Sequence, residues 1–132
     1  MEDDDSVAKI IVADDHPLMR NVLGVCLRDA GYDVIEVADG TVLLEELRNA
    51  LFDDDNPRRA DLVITDVHMP KCSGLRALEL IRSVDAGLPV ILMSAFTTPE
   101  LHAEATRLGV TRVFDKPFDV KVLVAEVQRL LH

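Results

Sequence analysis

The sequence predicts a doubly wound α/β fold built on a five-stranded parallel sheet. Five short apolar segments alternate with five longer segments whose apolar residues recur at helical spacing. Three of the short segments are continuous apolar runs, which suit parallel strands covered by helices on both faces. Strand–helix alternation along a chain of 132 residues indicates a single layered domain.

The strands follow from the apolar segments in chain order. The first, third and fourth contain the continuous runs Ile-Ile-Val, Leu-Val-Ile and Val-Ile-Leu-Met. The second and fifth are less uniformly apolar, which is typical of strands nearer the edges of a sheet. The predicted strands are residues 9–13, 33–37, 62–65, 90–94 and 111–114.

The helices follow from apolar periodicity and from capping residues. The first helix ends before Gly31, the fourth begins after Thr98 with Pro99 in its first turn, and the last begins after Asp119. The predicted helices are residues 17–30, 41–51, 75–84, 100–108 and 120–131. The first helix is expected to bury an apolar face made of Leu18, Val22, Val25, Cys26 and Ala30.

Composition narrows the classes of function. Lys and Arg number 14 against 24 Asp and Glu, a formal charge of −10 that disfavours direct nucleic-acid binding. No apolar run approaches the roughly 20 residues of a membrane helix. The acidic start, residues 1–6, is unlike a secretory or transit peptide, so a cytoplasmic location is expected. We expect an acidic tail over residues 1–8, one domain over residues 9–132, and a polar loop at residues 53–59.

Chemically useful side chains stand where the predicted strands end. Asp14 and Asp15 follow the first strand, Asp66 the third, Ser94 closes the fourth, and Lys116 lies just past the fifth. In open α/β sheets, ligands bind beyond the carboxyl ends of the strands, at the point where the strand order reverses. We therefore expect three carboxylates, a hydroxyl and an ammonium to meet in one cleft.

Three carboxylates in one cleft need a cation. Two unit charges about 4 Å apart repel by on the order of 4 kcal/mol at an effective dielectric constant of 20. The available ligands are hard oxygens, so Mg²⁺ is favoured, with Mn²⁺ as the alternative. Because Mg²⁺ usually keeps waters for a phosphate, the pattern indicates phosphoryl transfer.

Each residue of the cleft then has a hypothetical role. Asp66 is the expected nucleophile, and Ser94 and Lys116 are expected to contact the phosphoryl oxygens. Asp15 is expected to bind the metal directly, and Asp14 directly or through water. The full metal set is Asp14, Asp15, Asp66 and the backbone carbonyl of His68. The side chains of His16 and His68 are expected to be exposed, and the peptide into Pro117 to be either cis or trans.

Four fragments in the expected order resemble the receiver domains of bacterial two-component response regulators, the CheY-like superfamily. They are residues 10–17 (IIVADDHP), 65–70 (TDVHMP) with Gly74, 93–95 (MSA) and 115–118 (DKPF). The resemblance implies a flavodoxin-like (βα)5 fold with strand order 2-1-3-4-5. It also implies phosphorylation of Asp66 by a sensor histidine kinase or a histidine phosphotransfer protein. Self-catalysed phosphorylation from small phosphodonors and slow autodephosphorylation would then be the only reactions catalysed.

The resemblance also implies an output. Phosphorylation would alter a surface read by a downstream protein or a fused output domain, and a homodimer is an open alternative. In the family, the hydroxyl at the place of Ser94 moves and an aromatic three residues before the lysine turns inward. Here that position holds Val113, and the neighbouring Phe114 should face the opposite side of the strand. The signalling residues are thus Ser94, Val113 and Phe114, and the usual aromatic switch is expected to be absent or differently built.

Three other classes of function remain as alternatives. A Mg²⁺-dependent phosphatase would use an acid two residues after the nucleophile, where this chain has His68. A constitutive interaction module would keep the fold and ignore phosphate, and Val113 is the point in its favour. A nucleotide- or flavin-binding domain is disfavoured, because no glycine-rich turn follows the first strand.

Overall fold

The structure, a computed structural model, describes residues 7–52 and 60–131. Residues 1–6 of the expected acidic tail and the expected loop at residues 53–59 lie outside the described residues. In the described residues there are ten elements, which in chain order are β1 (Lys9–Ala13), α1 (Pro17–Asp29), β2 (Asp33–Val37), α2 (Gly40–Phe52), β3 (Leu62–Asp66), α3 (Gly74–Val84), β4 (Val90–Ser94), α4 (Pro99–Arg107), β5 (Arg112–Asp115) and α5 (Val120–Leu130). Each boundary lies within one residue of its prediction.

The five strands form one parallel sheet in the order β2-β1-β3-β4-β5. The predicted fold class and strand order are confirmed. All five residues of β3 and of β4 are buried, as expected for strands with helices on both faces, whereas the edge strands β2 and β5 are partly exposed. From β1 the chain passes to β2 on one side, whereas β3 lies on the other side of β1. The strand order therefore reverses between β1 and β3, and a cleft opens at their carboxyl ends.

Side-chain alternation along the strands divides the core into two layers. Ile11 and Ala13 of β1 face the layer shared with α2, α3 and α4. Ile10 and Val12 face the opposite layer, where Leu23 and Leu27 of α1 and residues of α5 pack. Within the part of the chain that is described, no helix is both long and apolar enough to cross a membrane.

Helix α1 buries a different face from the one predicted. Leu18 and Val25 are 78% and 56% exposed, and Val22 is also exposed, whereas Leu23 and Leu27 are wholly buried. The helix carries two apolar stripes at similar spacing, and helical periodicity alone does not distinguish them. The stripe of Leu23 and Leu27 is the one that packs, because it faces the sheet when α1 connects β1 to β2.

The predicted helix ends are confirmed at the residues that cap them. The side chain of Thr98 accepts a hydrogen bond from the backbone N–H of Leu101, and that of Asp119 accepts one from Lys121. Gly31 and Gly109 adopt positive φ angles of 102° and 91° just beyond helices α1 and α4.

Candidate functional site

The sheet brings Asp14, Asp66 and Lys116 into direct contact at its carboxyl edge. The ammonium Nζ of Lys116 donates hydrogen bonds to Asp14 Oδ2 at 3.0 Å and to Asp66 Oδ2 at 2.5 Å. Asp14 is wholly buried and Asp66 nearly so. These contacts join residues 102 and 50 positions apart in sequence. Asp14 and Asp66 lie at the carboxyl ends of the neighbouring strands β1 and β3, and Lys116 reaches both from the segment after β5. The predicted meeting of these three side chains is therefore observed.

The two carboxylates are held in the same way. Oδ1 of Asp14 accepts the backbone N–H of His16 at 2.9 Å, and Oδ1 of Asp66 accepts that of His68, also at 2.9 Å. Each acid thus uses one oxygen to close a turn with the residue two positions on, and the other oxygen to bind Lys116. Each oxygen of both carboxylates thus accepts a hydrogen bond, and the two carboxylates share a single ammonium.

The pKa of Lys116 lies above its ordinary value. Burial alone lowers the pKa of this ammonium, but hydrogen bonds to Asp66 and Asp14, together with the charges of these carboxylates, raise it by more. Lys116 therefore stays charged at neutral pH. Two carboxylates against one ammonium still leave a net negative charge in the site, which is favourable for a further cation.

A cleft of about 240 Å³ opens on this site. It is lined by Asp15, His16, Asp66, His68, Ala95, Phe96 and Lys116. A carboxylate oxygen of Asp14, one of Asp15 and a ring nitrogen of His16 all lie within 4.8 Å of one another. Asp15 thus clusters with Asp14 and lines the same cleft as Asp66.

The residues present fit a hard divalent cation. Carboxylate oxygens of Asp14, Asp15 and Asp66 are the donors that Mg²⁺ prefers, and their charge exceeds what Lys116 balances. His16 is 75% exposed, as predicted, but its Nδ1 also lies 3.7 Å from Asp14 and 3.6 Å from Asp15. Sequence reasoning missed this proximity, although the position of His16 directly after the acid pair was a signal for it.

Ser94 ends β4 directly before Ala95 and Phe96, which line the cleft. Ser94 is wholly buried, and its hydroxyl accepts the backbone N–H of Phe96 at 3.0 Å, while its carbonyl accepts that of Lys116 at 2.8 Å. The exposed ring of His68 packs edge-on against Phe96, with 5.8 Å between centroids. Ser94 is therefore tied by backbone contacts to the segment that carries the lysine.

The backbone takes a special form after Lys116 and after Asp66. The peptide bond between Lys116 and Pro117 is cis. The N–H of Gly74 donates to the carbonyl of Val67 at 2.9 Å, and a Cβ atom at Gly74 would lie 2.5 Å from the carbonyl oxygen of Asp66. Only glycine fits this position, because any side chain would collide with the backbone of Asp66.

Val113 and Phe114 face opposite sides of the sheet, as strand alternation predicted. Val113 packs against the layer of α2, α3 and α4. Phe114 is buried in the other layer, where its ring meets Phe118 at 5.4 Å and lies 4.7 Å from the guanidinium carbon of Arg112. Phe114 is thus part of the core beneath α1 and α5, on the side of β5 away from Val113.

Comparison with known proteins agrees with this geometry. The family model for the response regulator receiver domain matches residues 10–128. The chemotaxis protein CheY of Pseudomonas aeruginosa is 31% identical over 128 residues, which cover 92% of this chain and 94% of that protein. The regulatory protein AtoC of Escherichia coli is 33% identical over 96% of this chain but only 26% of its own length. This chain thus spans about a quarter of AtoC.

A solved structure of a response regulator shows the same fold. The response regulator TrrA of Thermotoga maritima, described in complex with Mg²⁺–BeF, is 26% identical, with a TM-score of 0.78 over 94% of this chain and 99% of that one. The family match, the relatives and the arrangement at the carboxyl edge agree. This chain belongs to the response regulator receiver domain family, whose members are phosphorylated on an aspartate in two-component signalling.

Proposed function

We propose that Asp66 is the phosphoacceptor of this chain, and that residues 9–132 act as the receiver domain. The single observation that carries this proposal is the Lys116 ammonium, which bridges the carboxylates of Asp66 and Asp14 at the carboxyl edge of the sheet. It marks Asp66 as a buried carboxylate with an adjacent positive charge, and the cleft gives a donor access to it.

The proposed step transfers a phosphoryl group from a phosphohistidine. An oxygen of Asp66 forms a bond to phosphorus as the phosphorus–nitrogen bond breaks, and the imidazole leaves with the electron pair and takes up a proton. Lys116 contacts a phosphoryl oxygen as negative charge develops, and Ser94 donates its hydroxyl hydrogen to another. Lys116 already contacts Asp66, and Ser94 ends β4, the strand next to β3.

A divalent cation completes the proposed site. Asp14, Asp15, Asp66 and the backbone carbonyl of His68 would hold Mg²⁺, with Mn²⁺ as an alternative. When bound, the ion supplies positive charge to the phosphoryl oxygens. Receiver domains of this family bind Mg²⁺ in an acidic pocket, and the net negative charge of the Asp14–Asp66–Lys116 group supports the same role here.

The proposed partners follow from this chemistry. A sensor histidine kinase or a histidine phosphotransfer protein would donate the phosphoryl group, and a downstream protein or fused output domain would read the phosphorylated surface. The domain itself would not contact nucleic acid, because its formal charge is −10. It would catalyse only its own phosphorylation and dephosphorylation.

Phosphorylation with acetyl phosphate tests the assignment of Asp66. With Mg²⁺, mass spectrometry of the intact protein should show one added phosphoryl group, which is lost in the Asp66→Asn variant. Asp33→Asn is the matched control, because Asp33 begins β2 and so lies at the amino ends of the strands, away from the site. This variant should be phosphorylated as the wild type is. A wild-type protein that never acquires the group, even from its kinase, would remove the proposal.

A constitutive interaction module is the second candidate, and Val113 favours it. This residue packs on the α4 side of β5, where an aromatic switch would otherwise lie. Partner affinity measured with and without beryllofluoride, a phosphoryl mimic, separates the two functions. A change in affinity supports the phosphorylation switch, and equal affinities support the constitutive module.

A further inference from the structure

Arg20 of helix α1 contacts the backbone between the two acidic residues of the site. We propose that Arg20 is a positioning residue that holds the peptide group between Asp14 and Asp15 and so sets the directions of their two carboxylates. This inference rests on the proposed function, in which both carboxylates bind Mg²⁺.

The contact is made at the point where strand pairing ends. The last paired residue of β1 is Ala13, and Asp14 follows it with its N–H bonded to the carbonyl of Val37 at 3.2 Å. The carbonyl of Asp14 accepts a hydrogen bond from Arg20 Nη1 at 2.8 Å. That carbonyl belongs to the same planar peptide group as the N–H of Asp15. Rotation of this group would turn Asp15 relative to the buried carboxylate of Asp14.

Arg20 is itself held by β2. Its Nε lies 3.8 Å from Glu36 Oε1, and Glu36 Oε2 accepts a hydrogen bond from Arg28 Nη1 at 2.7 Å. A Cβ atom at Gly24 would lie 2.3 Å from Glu36 Oε2, so the absence of a side chain there lets Glu36 lie against α1. The guanidinium of Arg20 is therefore fixed between Glu36 and the Asp14 carbonyl.

Positioning and charge predict opposite effects on Mg²⁺ binding. Arg20 brings a positive charge near a cation site, so its removal would strengthen Mg²⁺ binding if charge were its only influence. Loss of the hydrogen bond would leave the Asp14 carbonyl without its guanidinium partner and loosen the acid pair. Loss of an outer partner of metal ligands typically weakens metal affinity by about 10-fold or more. The sign of the change therefore identifies the role.

Calorimetric Mg²⁺ titration of the Arg20→Met variant tests the proposal. Its matched control is Arg28→Met. This change also removes a guanidinium from Glu36, but the guanidinium of Arg28 donates to the carbonyl of Val34 and not to that of Asp14. We expect Arg20→Met to bind Mg²⁺ about 10-fold more weakly than the wild type, and Arg28→Met to bind it as the wild type does. Arg20→Lys, which keeps a donor, should recover part of the loss. Melting temperatures without Mg²⁺ show that each variant folds.

A metal-free measurement separates this inference from the proposed function. In NMR spectra, the carbonyl ¹³C shift of Asp14 and the amide shifts of Asp15 should change in Arg20→Met. If that variant does not fold, they should change in Arg20→Lys. The same shifts should stay in place in Arg28→Met. Mg²⁺ affinity that is unchanged or tighter in Arg20→Met, or equally weakened in Arg28→Met, overturns the positioning role. If the wild-type protein binds no Mg²⁺, the proposed metal site is overturned instead. If the Asp14 and Asp15 shifts also stay in place in the Arg20 variant, the hydrogen bond is overturned as well.

Discussion

Lys116 is the residue that allows two buried carboxylates to share one edge of the sheet. Without a cation between them, the carboxylates of Asp14 and Asp66 would repel each other across the site. The ammonium contacts both, which is why its own pKa rises in spite of burial. The same lysine balances charge in the metal-free site, and in the proposed function it also contacts the phosphoryl group.

Replacing Lys116 with methionine should destabilise the metal-free protein. We expect a loss of about 2 kcal/mol, below the roughly 3–5 kcal/mol of a fully buried pair because this site opens on a cleft. Urea unfolding followed by circular dichroism measures it, with the exposed Lys121→Met as control. Added Mg²⁺ should stabilise Lys116→Met more than the wild type, because the ion replaces the missing charge. Equal stability of Lys116→Met and wild type would contradict this role.

The raised pKa of Lys116 also predicts a pH dependence. A group whose pKa is higher in the folded state contributes stability below its unfolded pKa, about 10.4 for lysine, and loses it as the pH rises through the folded-state pKa. The stability difference between wild type and Lys116→Met should therefore be constant near pH 8 and should narrow only above about pH 10.4. Melting temperatures of both proteins across this range measure it. A difference that disappears below about pH 9 would show that Lys116 is not held as an ammonium.

At the scale of elements, the start of helix α3 supports the strand that carries Asp66. Ser73 caps the helix by accepting a hydrogen bond from the N–H of Arg76, and Gly74 follows in contact with the backbone of Asp66. The loop from β3 therefore returns against its own strand end. This close approach links the first turn of α3 to the geometry of the proposed phosphoacceptor.

The Gly74→Ala variant should disturb this loop. Its new methyl group would lie 2.5 Å from the Asp66 carbonyl oxygen, so the backbone must shift, at a cost of about 2 kcal/mol. Gly87→Ala is the control, because its nearest contact would be an ordinary 3.6 Å from Asp85 Oδ1. Stability by urea unfolding and phosphorylation rate with acetyl phosphate should both fall in Gly74→Ala only. If Gly74→Ala has the stability and the phosphorylation rate of the wild type, the loop accommodates the methyl group without destabilising the protein.

The buried face of helix α1 is testable by truncating one leucine on each stripe. Leu27→Ala should cost about 3 kcal/mol, because Leu27 is wholly buried beneath the sheet. Leu18→Ala should change stability by no more than about 0.5 kcal/mol, since Leu18 is 78% exposed. Denaturation midpoints in urea give both values. A larger loss for Leu18→Ala would indicate that the helix packs on the stripe predicted from its spacing.

For the whole molecule, the two core layers share one sheet and should unfold together. Each strand contributes alternate residues to both layers, so neither layer can be lost without exposing the other side of β1, β3 and β4. Tyr32, the single tyrosine in a chain without tryptophan, packs against the layer of α1 and α5. Its fluorescence reports on that layer alone, whereas far-ultraviolet circular dichroism reports on all helices.

Urea unfolding should therefore give coincident transitions by the two methods. Coincidence is the expectation for a single cooperative domain of this size. A control series with Leu27→Ala should shift both transitions to lower urea by the same amount. If the tyrosine signal changed first, the layer of α1 and α5 would unfold independently of the layer of α2, α3 and α4.

Much of the fold was accessible from the sequence because α/β alternation leaves few topologies. The apolar runs located the strands, and Gly31, Thr98 and Asp119 located helix ends to within a residue. The carboxyl ends of parallel strands lie at one edge of the sheet, so the sequence alone predicts that Asp14, Asp66 and Lys116 meet there. The family resemblance supplied the strand order.

Other features depended on the tertiary structure. Two apolar stripes on α1 satisfy the same helical period, and only docking against the sheet selects Leu23 and Leu27 over Leu18. The contact of Arg20 with the Asp14 carbonyl and the proximity of His16 to the acids arise from the path of the chain after β1. Periodicity and residue type determine which elements form and which edge carries the chemistry. The direction in which each side chain points is decided by packing between segments far apart in sequence.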